Sequence, residues 1–284
     1  MSEAVTADAL LRTSPLPVLE TRILLMHVLG WRRTELITRG DEALEASFVA
    51  AYRDLEARRV QGEPIAQLVG AREFYGLDFD VTRDVLIPRP DTEVLVETAL
   101  AALEGIAQPR LLDLGTGSGA IAVALASARP DARVWAVDRS AAALDVAARN
   151  AAKLLDAQRP GGPLAFVAGS WYDALEPALR FEAIVSNPPY IASGDPHLEQ
   201  GDLRFEPRGA LTDEADGLTA LRAIVAGAPA RLVPGGVLWM EHGYDQAGAV
   251  RALLESAGFT DVRSERDLAG IERISGGRLP LPAE

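Results

Sequence analysis

The spacing of hydrophobic positions changes twice along the chain. Up to about residue 70 they recur every three or four positions, as in residues 16–29 and 43–60, which predicts amphipathic helices. Between residues 72 and 90 apolar residues alternate around Gly76, which predicts a β-hairpin. From residue 110 onward, short apolar runs alternate with helical stretches, the order typical of a parallel sheet covered on both faces.

The alternating region divides into definite strands and helices. Strands are predicted at residues 110–114, 133–138, 164–168, 181–186 and 236–241, and helices at 120–128, 141–155, 218–232 and 246–257. A closing hairpin is predicted near residues 262–266 and 272–276. Before this region, Asp91 is predicted to cap a helix that reaches about residue 103.

Composition limits the classes of protein and of chemistry. The chain of 284 residues has a net charge of −13, no cysteine and three histidines. Disulfides, cysteine chemistry and a histidine-rich metal site are therefore not expected. The acidic balance argues against sequence-independent binding of nucleic acid, which depends on neutralising phosphates. Because no apolar run could span a membrane and no signal-peptide pattern is present, we expect a soluble cytoplasmic protein.

A glycine-rich turn between the first strand and the first helix of the alternating region is the candidate cofactor site. Glycines allow positive φ and a close approach to the backbone, and the helix N-terminus offers free N–H groups. Asp138, which ends the second strand, can accept hydrogen bonds from ribose hydroxyls. This pattern fits a nicotinamide dinucleotide and S-adenosyl-L-methionine equally well. The candidate residues of the turn are Asp113, Gly115, Thr116, Gly117, Ser118 and Gly119.

Two of the candidate cofactor contacts have alternative interpretations. Asp113 lies at the buried end of its strand, so it must be hydrogen-bonded. It can hold the glycine turn or meet the ammonium group of an amino-acid cofactor. Trp171 follows the third strand, where it can pack beside an adenine or belong to the core.

The tetrapeptide Asn187-Pro188-Pro189-Tyr190 is the candidate catalytic and substrate-binding site. Neither proline can donate to a sheet, so the strand at residues 181–186 must end before them, at the edge where α/β proteins bind ligands. The side-chain oxygen of Asn187 and the carbonyl of Pro188 can accept both N–H bonds of a planar NH2 group. The ring of Tyr190 can cover its flat face. Orientation of this kind lets a weakly nucleophilic nitrogen attack an activated methyl group.

Residues 191–215 form an unusually long connection after the tetrapeptide. Their hydrophobic periodicity is weak. Long connections are usually functional or disordered, and the position beside the tetrapeptide favours a functional loop.

The glycine turn and the tetrapeptide together resemble those of class I S-adenosylmethionine-dependent methyltransferases that modify a planar nitrogen. With further segments, almost the whole chain resembles the PrmC/HemK family of peptide chain release factor glutamine methyltransferases. These segments are Gly62-Glu-Pro-Ile-Ala-Gln-Leu, Arg72-Glu-Phe-Tyr-Gly-Leu-Asp-Phe, Leu86-Ile-Pro-Arg-Pro-Asp-Thr-Glu93, Ser186-Asn-Pro-Pro-Tyr-Ile191, Glu206-Pro and Glu241-His-Gly.

The resemblance implies an architecture and a reaction. It implies a small helical domain at residues 1–71 that binds the substrate protein, a hairpin linker at 72–90, and a catalytic domain at 91–284 with a Rossmann-like, seven-stranded, mostly parallel sheet. The implied reaction moves a methyl group from S-adenosyl-L-methionine to the glutamine of the Gly-Gly-Gln motif in release factors, which tunes translation termination. S-adenosyl-L-homocysteine is the implied product.

The resemblance also implies roles for individual residues. Carried over by motif position, the glycine turn, Asp138 and Asn187 contact the cofactor, and Trp171 lies near its adenine. The tetrapeptide forms the glutamine pocket. We expect a monomer whose partner is a release factor, with no metal, no direct contact with nucleic acid and no membrane.

Three alternatives remain open. An adenine N6-methyltransferase acting on nucleic acid would also grip a planar NH2 group, although the acidic charge and residues 72–93 argue against it. A glutamine methyltransferase acting on a ribosomal protein would use the same chemistry on another partner. A non-catalytic binding module could retain the glycine turn, but the intact tetrapeptide argues against it.

Overall fold

The chain forms two compact units, Met1–Ala71 and Arg72–Glu284, in a computed structural model that describes residues 4–282. The first unit is helical, and its apolar faces meet in a core that includes Leu24, Leu25 and Tyr52. Its second helix ends where Gly30 takes a positive φ of 65°, a common way to stop a helix. The helices are α1 (Ala7–Thr13), α2 (Val18–Leu29), α3 (Arg33–Thr38), α4 (Ala46–Val60) and α5 (Ile65–Val69).

A β-hairpin opens the second unit, as predicted around Gly76. Its strands are β1 (Ala71–Phe74) and β2 (Leu77–Asp80). Tyr75 and Gly76 both have positive φ, 53° and 73°, as a tight hairpin turn requires. Phe74 and Phe79 are buried in the core of this unit. The hairpin is therefore anchored to the second unit by its own side chains.

A seven-stranded sheet forms the centre of the second unit within the described residues. The order is β5-β4-β3-β6-β7-β9-β8, and all strands are parallel except β9, which is antiparallel to both of its neighbours. This confirms the predicted fold class. The strands are β3 (Arg110–Leu114), β4 (Arg133–Asp138), β5 (Ala165–Ala168), β6 (Phe181–Ser186), β7 (Leu232–Glu241), β8 (Thr260–Arg266) and β9 (Glu272–Arg278).

Helices cover both faces of the sheet. Successive residues of β3 belong to different cores, Leu111 to one and Leu112 to the other, as expected for a strand buried on both sides. Between residues 4 and 282, no helix is both long and apolar enough to cross a membrane. The helices are α6 (Glu93–Ala102), α7 (Ala120–Ala128), α8 (Ala141–Leu154), α9 (Arg208–Leu211), α10 (Thr219–Gly227) and α11 (Ala247–Ser256).

The helix predicted at residues 218–232 is too long. α10 ends at Gly227, a 3₁₀ turn follows at Ala228–Ala230, and β7 begins at Leu232. Pro229 has no N–H to continue the helix, and its ring would clash with the carbonyl four residues earlier. Leu232 instead pairs with Phe181 of β6, so β7 begins four residues before the predicted strand at 236–241.

The sheet has a topological switch point beside β3. From β3 the chain moves outward to β4 and β5, and then returns to place β6 on the other side of β3. The connections after β3 and β6 therefore leave the sheet in opposite directions, which opens a crevice at the carboxyl ends of these two strands. Open α/β sheets bind their ligands at such a crevice.

Candidate active site

The glycine turn and the tetrapeptide lie side by side at the switch point. Leu114 of β3 is the register partner of Ser186 of β6, and the Ser186 hydroxyl donates to the Leu114 carbonyl at 2.6 Å. Gly115 and Asn187 are the next residues of these paired strands. The structure therefore brings together two motifs that are about seventy positions apart in the sequence.

The glycine turn has a left-handed backbone at its three glycines. Gly115, Gly117 and Gly119 have φ values of 72°, 54° and 81°, in the left-handed region that disfavours a side chain. A Cβ on Gly119 would lie 3.0 Å from the Cβ of Ala147 in α8. The third glycine is thus needed both for its conformation and for the close contact between α7 and α8.

Asp113 is fully buried at the end of β3. Its Oδ2 accepts the hydroxyl of Thr116 at 2.7 Å, so the carboxyl group holds the glycine turn. Among residues 4–282, no donor makes a close hydrogen bond to its buried Oδ1, although the Ala122 N–H lies near enough to lower the pKa of the carboxyl group. Burial raises the pKa of Asp113 from its ordinary 3.8 to about 7, with nearby Asp138 acting in the same direction. An unpaired buried oxygen of this kind suits a ligand that brings its own donor.

Asp138 supports the turn from the end of β4. Its Oδ2 accepts the Gly117 amide and its Oδ1 accepts the Ser140 amide, both at 2.9 Å. The side chain of Ser140 caps α8. Asp138 is therefore a structural residue as well as a candidate ligand contact, and each of its oxygens can accept a further hydrogen bond.

Trp171 lies over the glycine turn. Its ring approaches to 3.7 Å from the position that a Cβ on Gly115 would take, and it also packs at the edge of one core. Its φ of 47° is unusual for a bulky residue, and backbone strain of this kind is common at functional sites. Gly115, Asp138, Trp171 and Pro189 line a cavity of about 80 Å³. That volume is smaller than the roughly 300–1,000 Å³ of complete ligand pockets.

The tetrapeptide is connected to a buried carboxyl group. The Nδ2 group of Asn187 donates to the Thr92 hydroxyl at 3.2 Å, and that hydroxyl donates to Oε2 of Glu241 at 2.6 Å. The Tyr190 hydroxyl donates to Oε1 of the same carboxyl at 3.1 Å. Burial raises the pKa of Glu241, while the two hydroxyls and Arg273 act to lower it.

Two oxygens of the tetrapeptide are left as acceptors. In the part of the chain that the structure describes, no donor is hydrogen-bonded to Oδ1 of Asn187 or to the carbonyl oxygen of Pro188. Asn187 is half-buried and Pro188 is buried. The two prolines restrict the backbone, so the position of the Pro188 carbonyl is rigid. These two oxygens are thus free to accept hydrogen bonds, in a segment that lies next to the glycine turn.

Comparison with known proteins identifies the family of the chain. Residues 5–70 match the PrmC N-terminal domain, and residues 90–201 match the methyltransferase small domain. A release factor glutamine methyltransferase from Burkholderia pseudomallei (strain K96243) is 70% identical over 275 residues, which cover 97% of this chain and 96% of that protein. The chain belongs to the release factor glutamine methyltransferase family.

A further relative agrees with this assignment, and a solved structure shares the fold. The release factor glutamine methyltransferase of Bordetella pertussis (strain Tohama I) is 60% identical over 270 residues, covering 95% of this chain and 98% of that protein. The crystal structure of a methyltransferase from Pyrococcus furiosus matches with a TM-score of 0.51 at 17% identity, covering 80% of this chain and 99% of that one. The second likeness shows the fold alone.

Two buried glutamates in this member of the family were not predicted as site residues. Glu241 ends β7, and Glu206 lies in the long connection after the tetrapeptide. One oxygen of Glu206 accepts the Ile87 amide at 2.8 Å, and the other is paired with Arg89. Both glutamates lie in segments that resemble the family. No pattern of neighbouring residues indicates which segments they bind.

Thr92 was also missed, because the pattern of residues predicts the helix cap at Asp91. That prediction is wrong: a 3₁₀ turn at Pro90–Thr92 precedes α6, and Asp91 lies inside this turn. The turn is closed by a hydrogen bond from the Thr92 amide to the Arg89 carbonyl. Thr92 becomes buried, and its hydroxyl faces the tetrapeptide.

The connection at residues 191–215 is ordered by short helical turns. These are two 3₁₀ turns, Pro196–Glu199 and Gly201–Phe205, and the helix α9. A cavity of about 620 Å³ lies beside Tyr190 and is bordered by this connection and by Tyr244 and Gln246. Gln246 donates to the Tyr190 carbonyl at 3.0 Å. The tetrapeptide thus lies between this larger cavity and the cavity beside the glycine turn.

Proposed function

We propose that this protein transfers a methyl group from S-adenosyl-L-methionine to the side-chain amide nitrogen of the glutamine in the Gly-Gly-Gln motif of peptide chain release factors. The observation that carries the proposal is the pair of open acceptors, Asn187 Oδ1 and the Pro188 carbonyl, beside the glycine turn. The names of the relatives at 70% and 60% identity support this choice of substrate.

The residues of the crevice suit this cofactor. The open backbone of the glycine turn can accept a ligand close to the N-terminus of α7, and the unpaired Oδ1 of Asp113 can accept a hydrogen bond from an ammonium group. Asp138 can accept the ribose hydroxyls, and the Trp171 ring can cover the adenine. When bound, S-adenosyl-L-methionine supplies a methyl group that is activated by its positive sulfur, and S-adenosyl-L-homocysteine remains.

The tetrapeptide acts mainly by orientation. An amide nitrogen is a poor nucleophile because its lone pair is delocalised into the carbonyl group. Asn187 Oδ1 and the Pro188 carbonyl can accept both N–H bonds, which directs the nitrogen toward the methyl group, and Tyr190 can cover the amide plane. A fixed arrangement of this kind needs no reorganisation during the reaction. The nitrogen becomes more acidic once it is methylated, so one of the two held protons can then pass to solvent.

A labelled-transfer assay tests the proposal. With a labelled methyl donor, we expect label in a purified release factor and none in a release factor whose motif glutamine is replaced by alanine. Asn187→Ala is expected to lower turnover by about 10²-fold or more, as for a lost orienting group. Label in DNA or in a ribosomal protein would favour the alternative substrates, and label in none of them would refute methyl transfer to these targets.

We also propose that residues 1–71 bind the release factor, while residues 91–284 carry the chemistry and 72–90 link them. A monomer in the cytoplasm, without direct contact to nucleic acid, fits this partner. Light scattering is expected to give a mass near the 30.2 kDa of one chain. Cross-linking to the release factor is expected to modify residues 1–71. Cross-links restricted to the rest of the chain would contradict this role.

A further inference from the structure

Four side chains form one continuous hydrogen-bonded chain beside the crevice. It runs from Asn187 to Thr92, from Thr92 to Glu241, and from Glu241 to Tyr190, with distances of 3.2, 2.6 and 3.1 Å. Thr92 and Glu241 are 5% and 2% exposed. We call these two residues the buried pair. The hydrogen-bonded chain therefore joins the turn before α6, the tetrapeptide after β6 and the end of β7.

The direction of donation along this chain follows from the arrangement of its hydrogen bonds. The hydroxyls of Thr92 and Tyr190 both donate to Glu241. Thr92 has then used its one proton and can only accept from Asn187. The Nδ2 group of Asn187 must therefore face Thr92, and the carboxamide oxygen must point the other way.

We propose that the buried pair positions the catalytic amide: Thr92, held by Glu241, keeps the Asn187 side chain in the one orientation that offers its oxygen to the substrate nitrogen. This inference rests on the proposed function, because it assumes that Asn187 accepts a substrate N–H. Thr92 acts through Asn187 and is a positioning residue. Without it the carboxamide could rotate by half a turn and offer an NH2 group, which cannot accept that hydrogen bond.

The same carboxylate also positions the aromatic end of the tetrapeptide. Both oxygens of Glu241 are used, one by Thr92 and one by Tyr190. A rotation of this carboxyl group would break both bonds together. Burying a carboxylate is unfavourable unless it is well hydrogen-bonded, and a group with apolar contacts would serve packing alone better. The buried carboxyl group of Glu241 therefore fits a role in orienting the tetrapeptide.

Substitutions at Thr92 test the proposal. Thr92→Val keeps the shape but cannot accept from Asn187, and we expect turnover to fall about tenfold, which is about 1.4 kcal/mol and the size of one lost orienting hydrogen bond. The KM for the methyl donor should change less than about twofold, because the glycine turn, Asp138 and Trp171 are untouched. Thr92→Ser retains the hydroxyl and should stay within about twofold of the unmodified protein.

A matched control lies on the adjoining helix. The hydroxyl of Thr98 in α6 bonds to the backbone carbonyl of Val94, one turn earlier. Thr98→Val thus makes the same chemical change without touching Asn187, and turnover should be unaffected. If Thr92→Val does not fold, the pair Thr92→Cys and Thr92→Ser gives the same comparison, because a thiol is a weak acceptor.

A double-mutant cycle separates positioning from general damage. In a chain that already carries Asn187→Ala, Thr92→Val should cause much less than a tenfold further loss, since Thr92 then acts only through Glu241 and Tyr190. A second tenfold loss in that background would overturn the proposal. Equal turnover of the Val and Ser variants at position 92 would overturn it as well.

Hydrogen exchange of the Asn187 side chain, measured on the protein without substrate, tests its orientation independently of activity. The side-chain NH2 resonance of Asn187 can be assigned from its absence in the Asn187→Ala variant. Its protons should exchange slowly with water in the unmodified protein and faster in Thr92→Val, while Thr98→Val should leave the rate unchanged. Equal exchange rates in all three proteins would refute the orientation. If the unmodified protein fails to label a release factor, the proposed function fails, but this measurement still decides whether Thr92 holds the amide.

Discussion

Replacement of Asp113 by asparagine tests the ionisation of the group that holds the glycine turn. The side chain keeps its shape and can still accept the Thr116 hydroxyl, but it carries no charge at any pH. Burial raises the pKa of Asp113 from its ordinary 3.8 to about 7. A shift of about 3 units, at about 1.36 kcal/mol each, corresponds to roughly 4 kcal/mol.

The sign of this effect follows from proton binding. The raised pKa means that the folded protein binds the Asp113 proton more tightly than the unfolded chain does. The resulting stability is fully present below pH 3.8 and is lost as the pH rises to about 7. The Asp113→Asn variant lacks this titration, so its stability relative to the unmodified protein should increase by about 4 kcal/mol through that window and stay constant above it.

Urea unfolding of both proteins between about pH 4.5 and 8.5 measures the difference. Groups that titrate equally in the two proteins do not contribute to the difference in the free energy of unfolding. Any contact made by the new NH2 group adds to that difference a constant that does not vary with pH. Asp145→Asn, at an exposed position of α8, controls for the change of one charge. A difference for Asp113→Asn that is constant across the whole range would refute the reasoning.

Three further predictions concern the residues around the crevice. Gly119→Ala should lower the free energy of unfolding by about 1–3 kcal/mol more than Gly105→Ala does. Both glycines have positive φ, but only at Gly119 would a Cβ meet a neighbouring helix. Equal thermal stabilities of the two variants would contradict this. Glu206→Ala should cost about 1–3 kcal/mol, because the buried Ile87 amide loses its acceptor. It should also speed proteolysis within residues 191–215, and an unchanged cleavage rate would contradict this. Asp138→Ala should weaken cofactor binding in a calorimetric titration, since it removes both a candidate contact and a support of the glycine turn; normal affinity would refute its assignment.

Local chemistry was sufficient to predict the strand ends that build the crevice. Two prolines cannot join a sheet, so β6 had to end at Ser186, and the glycine-rich segment could only be a turn before a helix. The alternation of apolar runs and helical stretches predicted a parallel sheet. The same reasoning failed at residues 218–232, where pairing with β6 extends β7 backward toward α10.

The sequence by itself determined the residue types that the site needs and the edge at which they lie, because backbone conformation depends on near neighbours. Only the tertiary structure decided how they are held. Thr92 meets Asn187 across 95 positions and Glu241 across 149. Hydrogen bonds between residues so far apart in the sequence leave no local pattern. The Asp113 oxygen lacks a close partner only because the folded sheet excludes water around it.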